Sequence, residues 1–241
     1  MLVVMSIGIA AGVWQMGRAV GKIAKSEKID TQIALPSLQL NAKAQWTLAD
    51  VDGRRLIVQG KFIAEHAICL DNRPQPNAAA SKAGSGQSGF YLLMPLQIAG
   101  LDNAVIWVQR GWAPRNRENR LALPPISTPT GELVIEGIGV AQPDRVFELG
   151  DGGVGAAGAD RIQQNLDLKR ESERHAWQQM PFVLKQIGGP ESDGLMRNWG
   201  SAASGVERHY AYAFQWFALA LSAFLFWLIH GLLRIRQTTK R

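Results

Sequence analysis

Two apolar blocks lie at the ends of the chain, and a region of short alternating segments separates them. Phe214–Leu233 is a long apolar stretch with Gln215 and His230 as its main polar interruptions. About 20 helical residues span roughly 30 Å, the thickness of bilayer hydrocarbon. The pattern predicts a transmembrane helix over 209–233, including an outer interfacial turn, followed by a basic tail over 234–241. Trp216 and Trp227 fall near its two ends, where amphipathic rings favour the interface. Met1–Gly17, with Ser6 and Gln15 as its main polar positions, predicts a first transmembrane helix over 1–17. A signal peptide would carry a basic region before the apolar run, and none precedes this one. Helical composition continues through Ala19–Ile33, so the first helix is expected to extend outward to about residue 33 and to stop before Pro36.

Between the anchors, over 34–208, the period changes to two. Arg55–Ala64 alternates around Leu56, Val58 and Phe62, with Gly60 as an expected bulge. Ala67–Asp71 is expected to pair with it through a turn at Glu65–His66. Phe90–Ile98 is a strand in which Pro95 suggests an edge or a bulge. In Ala104–Arg110, Val105, Trp107 and Gln109 face one way and Ile106, Val108 and Arg110 the other. Leu133–Val140 is a further strand, with Ile162–Leu166 and Phe182–Ile187 as weaker ones. Leu168–Met180 is the best helix of the region, with Glu171 facing His175 and Pro181 as its stop. The Gly- and Ala-rich segments Ser81–Ser88 and Asp151–Gly158 read as loops. The sum is an α+β membrane protein. Two transmembrane helices flank a strand-rich, barrel-like extracytoplasmic domain with one or two helices.

Charge fixes a direction across the membrane. Formal net charge is +6, four units of which come from Arg234, Arg236, Lys240 and Arg241, so the remainder carries +2. The compact, acid-free tail predicts a cytoplasmic C-terminus and, with two spans, a cytoplasmic N-terminus and a periplasmic middle. Arg18, Lys22, Lys25 and Lys28 argue the other way but are diluted by Glu27 and Asp30. The mixed charge elsewhere is a solvated surface and excludes a nucleic-acid footprint. Cys69, the only cysteine, rules out an internal disulfide and copper capture by a cysteine pair, and reads as a small buried hydrophobe.

Four histidines bear on chemistry. His66 and His175 read as surface or structural residues, and His230 as an interfacial or interhelical hydrogen-bonding group. His209 stands where the second span leaves the membrane, with Tyr212 three positions on and Trp216 seven on, along one helical face. An imidazole above such a face suits axial ligation of haem iron; an aromatic anchoring belt with a hydrogen-bonded histidine accounts for the same residues. No G-x-S-x-G, H-E-x-x-H or phosphate-loop pattern supports catalysis. The polar pairs Asp71/Arg73, Arg110/Arg115 and Glu132/Glu136 sit near strand ends without a local catalytic pattern.

Ordered along the chain stand Gly12-x-Trp14-Gln15-x-x-Arg18-x-x-x-Lys22, Val58-x-Gly60-x-Phe62, Leu70-x-x-Arg73, Pro95-Leu96 and Val108-Gln109-Arg110-Gly111-Trp112-Ala113-Pro114. Glu207-Arg208-His209-Tyr210-Ala211-Tyr212-Ala213-x-Gln215-Trp216-Phe217 completes the series. Together they resemble the SURF1 (Surfeit locus protein 1) family, assembly factors for haem–copper oxidases. Gln109 departs from the asparagine common there. The resemblance implies a bacterial inner-membrane protein that is a chaperone and not an enzyme. It would bind haem a transiently and promote its insertion or retention in cytochrome c oxidase subunit I, possible further partners being haem a synthase and other copies of itself. It implies His209 as the haem-iron ligand, with Trp14, Gln15, Arg18, Tyr212 and Trp216 around the cofactor and Arg18 or Arg208 near the propionates. Arg73, Arg110, Gly111 and Trp112 are implied as structural or interaction residues, with Trp112 packing the outer domain against the membrane and Arg110 fixing it by an ion pair. A membrane scaffold that steadies nascent subunit I without carrying haem is the competing reading, and an anchored periplasmic enzyme the third.

Overall fold

The computed structural model describes residues 1–76, 87–116, 118–119, 122–147, 161–199 and 205–238, without side chains for 191 and 234–238. Most of the two Gly/Ala-rich segments expected as loops, and the side chains of the basic tail, lie outside the described residues. The chain divides into two units: Met1–Lys28 with Ser201–Arg241, and Ile29–Gly200.

The first unit holds most of helix α1 (Leu2–Ala34) and, later in the chain, a helix over Val206–Thr238. Both are long and apolar enough to cross a membrane. Their buried positions are small: Gly8, Gly12 and Ala19 on α1, and Val206, Ala213 and Ala220 on the second helix. Spacings of four and seven residues put each set on one face, the arrangement that lets helices approach closely in lipid.

The second unit runs β1 (Leu38–Gln39), α2 (Leu48–Val51), β2 (Arg55–Phe62), β3 (Ile68–Pro74), β4 (Ser88–Ile98), β5 (Ala104–Pro114), β6 (Glu132–Val140), β7 (Ile162–Gln163), α3 (Leu168–His175) and β8 (Gln178–Gln186). The Val206–Thr238 helix is therefore α4. The ladder order is β1-β2-β6-β8-β5-β4-β3-β7, and a β2–β4 pairing closes β2, β6, β8, β5 and β4 into a barrel. Leu56, Val58, Phe90, Ile106, Phe182 and Leu184 fill it. Cys69 belongs to this interior, and burial pushes its thiol up to about 12. A second cluster, with Leu70, Tyr91, Trp107, Trp112 and Val183, covers the outer face of part of the sheet.

Three sequence expectations are corrected. β3 does not pair with β2: both pair antiparallel with β4, end to end, β2 reaching Leu96 and β3 starting at Leu93. A 3-10 turn over Ala64–His66 separates them, and Pro95, expected at an edge or a bulge, lies at the handover and accepts from Ile63 N–H at 2.9 Å. Gly60 is not a bulge, since β2 pairs without a break from Arg55 to Lys61; a Cβ there would lie 2.2 Å from the Gln97 carbonyl oxygen. The closed barrel brings the strands that near. Finally, α3 ends at His175 and not at Met180. Ala176 turns left-handed at φ 52°, its carbonyl held by the Asn103 amide at 2.9 Å, and the chain proceeds as β8 through Pro181. Pro181 is tolerated because it lies at an irregularity of the β5–β8 ladder and before β8 meets β6.

Two bulges position the central motif. On β5, Gly111 faces Leu92 and Gln109 faces Leu93, so Arg110 is the extra residue. It keeps the inward orientation of Ile106 and Val108, and Trp112 moves to the outer cluster opposite Tyr91. On β3 the register slips between Leu70 and Arg73, with Asn72 at φ 58°. The Trp112 indole then donates to the Arg73 carbonyl at 3.0 Å. Arg110 is 2% exposed, lies over the Phe62 ring at 4.7 Å and pairs with Asp193 at 3.3 Å. Burial lowers its pKa, against the opposing pull of Asp193. Arg110 makes its ion pair inside the domain, and Trp112 is enclosed by the domain's own side chains.

Asp193 also pairs with Arg197. Asp193→Ala therefore strands a buried guanidinium and is expected to cost about 3 kcal/mol or more. In the detergent-solubilised full chain, thermal unfolding should shift down by roughly 6–12 °C. A shift under about 2 °C would show that the pair does not hold the bulge.

Candidate functional site

The site is built by the contact of α1 with α4 inside the first unit. A Cβ on Gly8 would stand 3.0 Å from both the Ala220 Cβ and the Trp216 carbonyl oxygen. On Gly12 it would lie 2.5 Å from the Phe217 ring. The helices therefore touch through the missing side chains, and no plate-like group fits between them at this level. Further along the seam, His209 Nδ1 lies 2.8 Å from the Gln15 side-chain oxygen. Both residues are half-buried. This joins residues 194 positions apart in the chain.

The other residues expected around a cofactor distribute unevenly. Trp14, 61% exposed, and Tyr212, 53% exposed, lie away from the seam and present ring surface outward. Trp216 is half-buried, with its backbone at the Gly8 contact. Arg18 and Arg208 are exposed. Arg73, Arg110, Gly111 and Trp112 are in the other unit, where they form the bulge network. Arg73 donates to the carbonyls of Asp144 and Gln164 and to Asn165 Oδ1, and lies over the Tyr91 ring. A Cβ on Gly111 would meet the Leu195 Cβ at 2.7 Å, which accounts for glycine there by space.

The remaining histidines show contacts that the sequence reading missed. His66, in the turn after β2, and His175, at the end of α3, have ring centroids 4.2 Å apart. His175 also stacks on Trp177 at 4.2 Å, and its Nε2 is 3.6 Å from the buried Glu171 carboxylate. The Glu171–His175 contact follows from their spacing of four; the approach of His66 comes from the tertiary fold and has no local signal. His230 stacks on Phe226, one turn earlier on α4. Among the described residues no group of three or more His, Cys, Asp or Glu side chains is placed to hold a metal ion. A polar cleft of about 360 Å³ at one rim of the barrel is lined by Lys61, Gln97, Asp102, Asn103 and Glu132, among others.

Burial lowers the His175 pKa from its ordinary 6.5, and the nearby His66 and Arg174 charges add to this, against the pull of Glu171. The native state thus favours neutral imidazole. The associated stability is fully present above about pH 6.5 and is lost as pH falls through the lower native value. The unfolding midpoint of the solubilised chain should therefore fall on acidification below about pH 6.5, and His175→Gln should flatten that decline. An identical decline in the variant would contradict the assignment.

The sequence model of the SURF1 family matches residues 2–221. A SURF1-like protein of Rickettsia felis (strain ATCC VR-1525 / URRWXCal2) is 25% identical over 236 residues, which cover 95% of this chain and 94% of that protein. With apolar helices at both ends of a sequence whose middle folds as a closed strand-rich barrel, and a family match over nearly its whole length, the chain belongs to the SURF1 family.

Proposed function

We propose that this chain carries haem a on His209 and promotes its insertion into, or retention in, subunit I of cytochrome c oxidase. Membership of the SURF1 family implies a role in cytochrome c oxidase assembly. The family is one of assembly factors and not a known enzyme family. Haem a is here a cargo. Iron ligation requires a neutral imidazole nitrogen with a free lone pair. The observation that carries the reading is the contact of His209 Nδ1 with Gln15, which leaves Nε2 as the available ligand atom. Trp14 and Tyr212 offer apolar ring faces at the level of that contact, and Arg18 and Arg208 offer charge for propionates. The seam is closed at Gly8 and Gly12, so the ring would lie along the outer flank of the helix pair, not between the helices. A single side-chain ligand on an exposed flank suits a carrier that must also release what it holds.

The same exposed apolar flank supports a second reading, in which it contacts nascent subunit I directly and no haem is carried. In both readings the protein is in a bacterial inner membrane, with the central domain periplasmic and both ends cytoplasmic, as the basic residues after Leu233 favour.

Expression of the wild type and His209→Ala in cells that make haem a tests the proposal. The purified wild type is expected to retain haem a, and the variant to lose most of it at equal membrane abundance. An unchanged pigment content and spectrum in the variant would overturn His209 as ligand. Subunit I co-purifying with a pigment-free wild type would favour the scaffold.

A further inference from the structure

We infer that Gln15 is a positioning residue: its side-chain carbonyl accepts a hydrogen bond from His209 Nδ1 and thereby fixes the imidazole tautomer that presents a bare Nε2. The inference deepens the haem reading and rests on it only for the identity of what Nε2 meets.

The two side chains are 2.8 Å apart, with the glutamine oxygen facing Nδ1. A carbonyl oxygen has no proton to give, so Nδ1 must be the donor. In a neutral ring that leaves Nε2 with its lone pair. A carbonyl on the far nitrogen is the usual way a protein orients a ligating histidine and raises its basicity. The reverse orientation of the amide would make Nδ1 the acceptor and put the proton on Nε2, where it would block ligation.

The backbone fixes the distance. Gly8 and Gly12 precede Gln15 by seven and three residues, on the stretch of α1 that meets α4 at Ala220, Trp216 and Phe217. Side chains at either glycine would widen the seam and take Gln15 out of reach. Lys22 approaches Gly205 beyond the pair, its Nζ lying 3.6 Å from where a Gly205 Cβ would be, so the residue entering α4 stays within reach of a side chain of α1 there. A helix-to-helix hydrogen bond alone would serve adhesion equally well with either nitrogen protonated. Positioning requires one tautomer.

The test begins without haem. Full-length protein carrying ¹⁵N-histidine is reconstituted in lipid nanodiscs at mildly alkaline pH. The ring nitrogen shifts are assigned by comparison with His209→Ala. The expected result is a protonated Nδ1 and an unprotonated Nε2 in the wild type and in Gln15→Glu, which keeps the acceptor. Gln15→Leu should lose that pattern and show a mixture dominated by the other tautomer. An unprotonated Nδ1 in the wild type, or no change in Gln15→Leu, overturns the inference.

Haem a titration of the same samples gives a second readout. Gln15→Leu should bind about 10–100-fold more weakly. Gln15→Glu should retain binding and lower the midpoint potential of the bound iron, because a carboxylate makes the imidazole a stronger donor. Equal affinities and potentials in all three would overturn the positioning role. Failure of the wild type to bind haem a would remove the haem reading, and the nitrogen shifts would then decide the inference by themselves.

Discussion

The close approach of α1 and α4 is the constraint on which the site depends. Lipid supplies little hydrophobic drive for two helices to associate, because lipid tails are as apolar as leucine. Contact has to come from backbone proximity and from polar groups that find each other. Gly8 and Gly12 provide the first, and Gln15 with His209 provides the second. Each supports the other. The glycines make the hydrogen bond reachable, and the hydrogen bond selects one rotational setting of two otherwise greasy helices. The outward apolar side chains of both helices are left exposed.

The central domain solves a different problem, the placement of large polar groups within a small barrel. Its extra residue on β5 keeps Arg110 inside while passing Trp112 to the opposite face. A buried guanidinium is tolerable only with its partners assembled, and Asp193, Thr128 and the Ser127 carbonyl supply them. The short run Arg110-Gly111-Trp112 is therefore a packing device. Glycine lies where the 195–196 segment crosses β5, and Trp112 bridges to Met196 as well as to Arg73. This network stabilises the domain.

Much of this architecture could be read from local pattern. Hydropathy located both apolar helices, period-two alternation located β2 and β5 and even the facing of Arg110, and runs of strand-forming residues located β4 and β6, because these signals depend on neighbours a few residues away. What escaped depends on distant partners. β3 was expected beside β2 because nearby strands usually form hairpins, yet both extend along β4. α3 was expected to reach Pro181, yet it stops where Asn103, 73 residues away, holds the Ala176 carbonyl. His209 and Gln15 each stood out in the sequence, but nothing local joined them. Their contact, and the closed seam at Gly8 and Gly12, are consequences of helix pairing. The His66–His175 approach was hidden for the same reason.

Because that pairing underlies the account, a covalent measure of it is the most direct test. Gly8→Cys and Ala220→Cys can be combined in a chain whose only native cysteine is removed by Cys69→Ser. The present geometry puts a Cβ at position 8 within 3.0 Å of the Ala220 Cβ, near the separation a disulfide spans. Mild oxidation in native membranes should produce a rapid bond within one chain, and neither single-cysteine chain should do so. Absence of that bond, or its formation only between two chains, would mean that the helices do not meet as described and that His209 lacks the partner assigned to it.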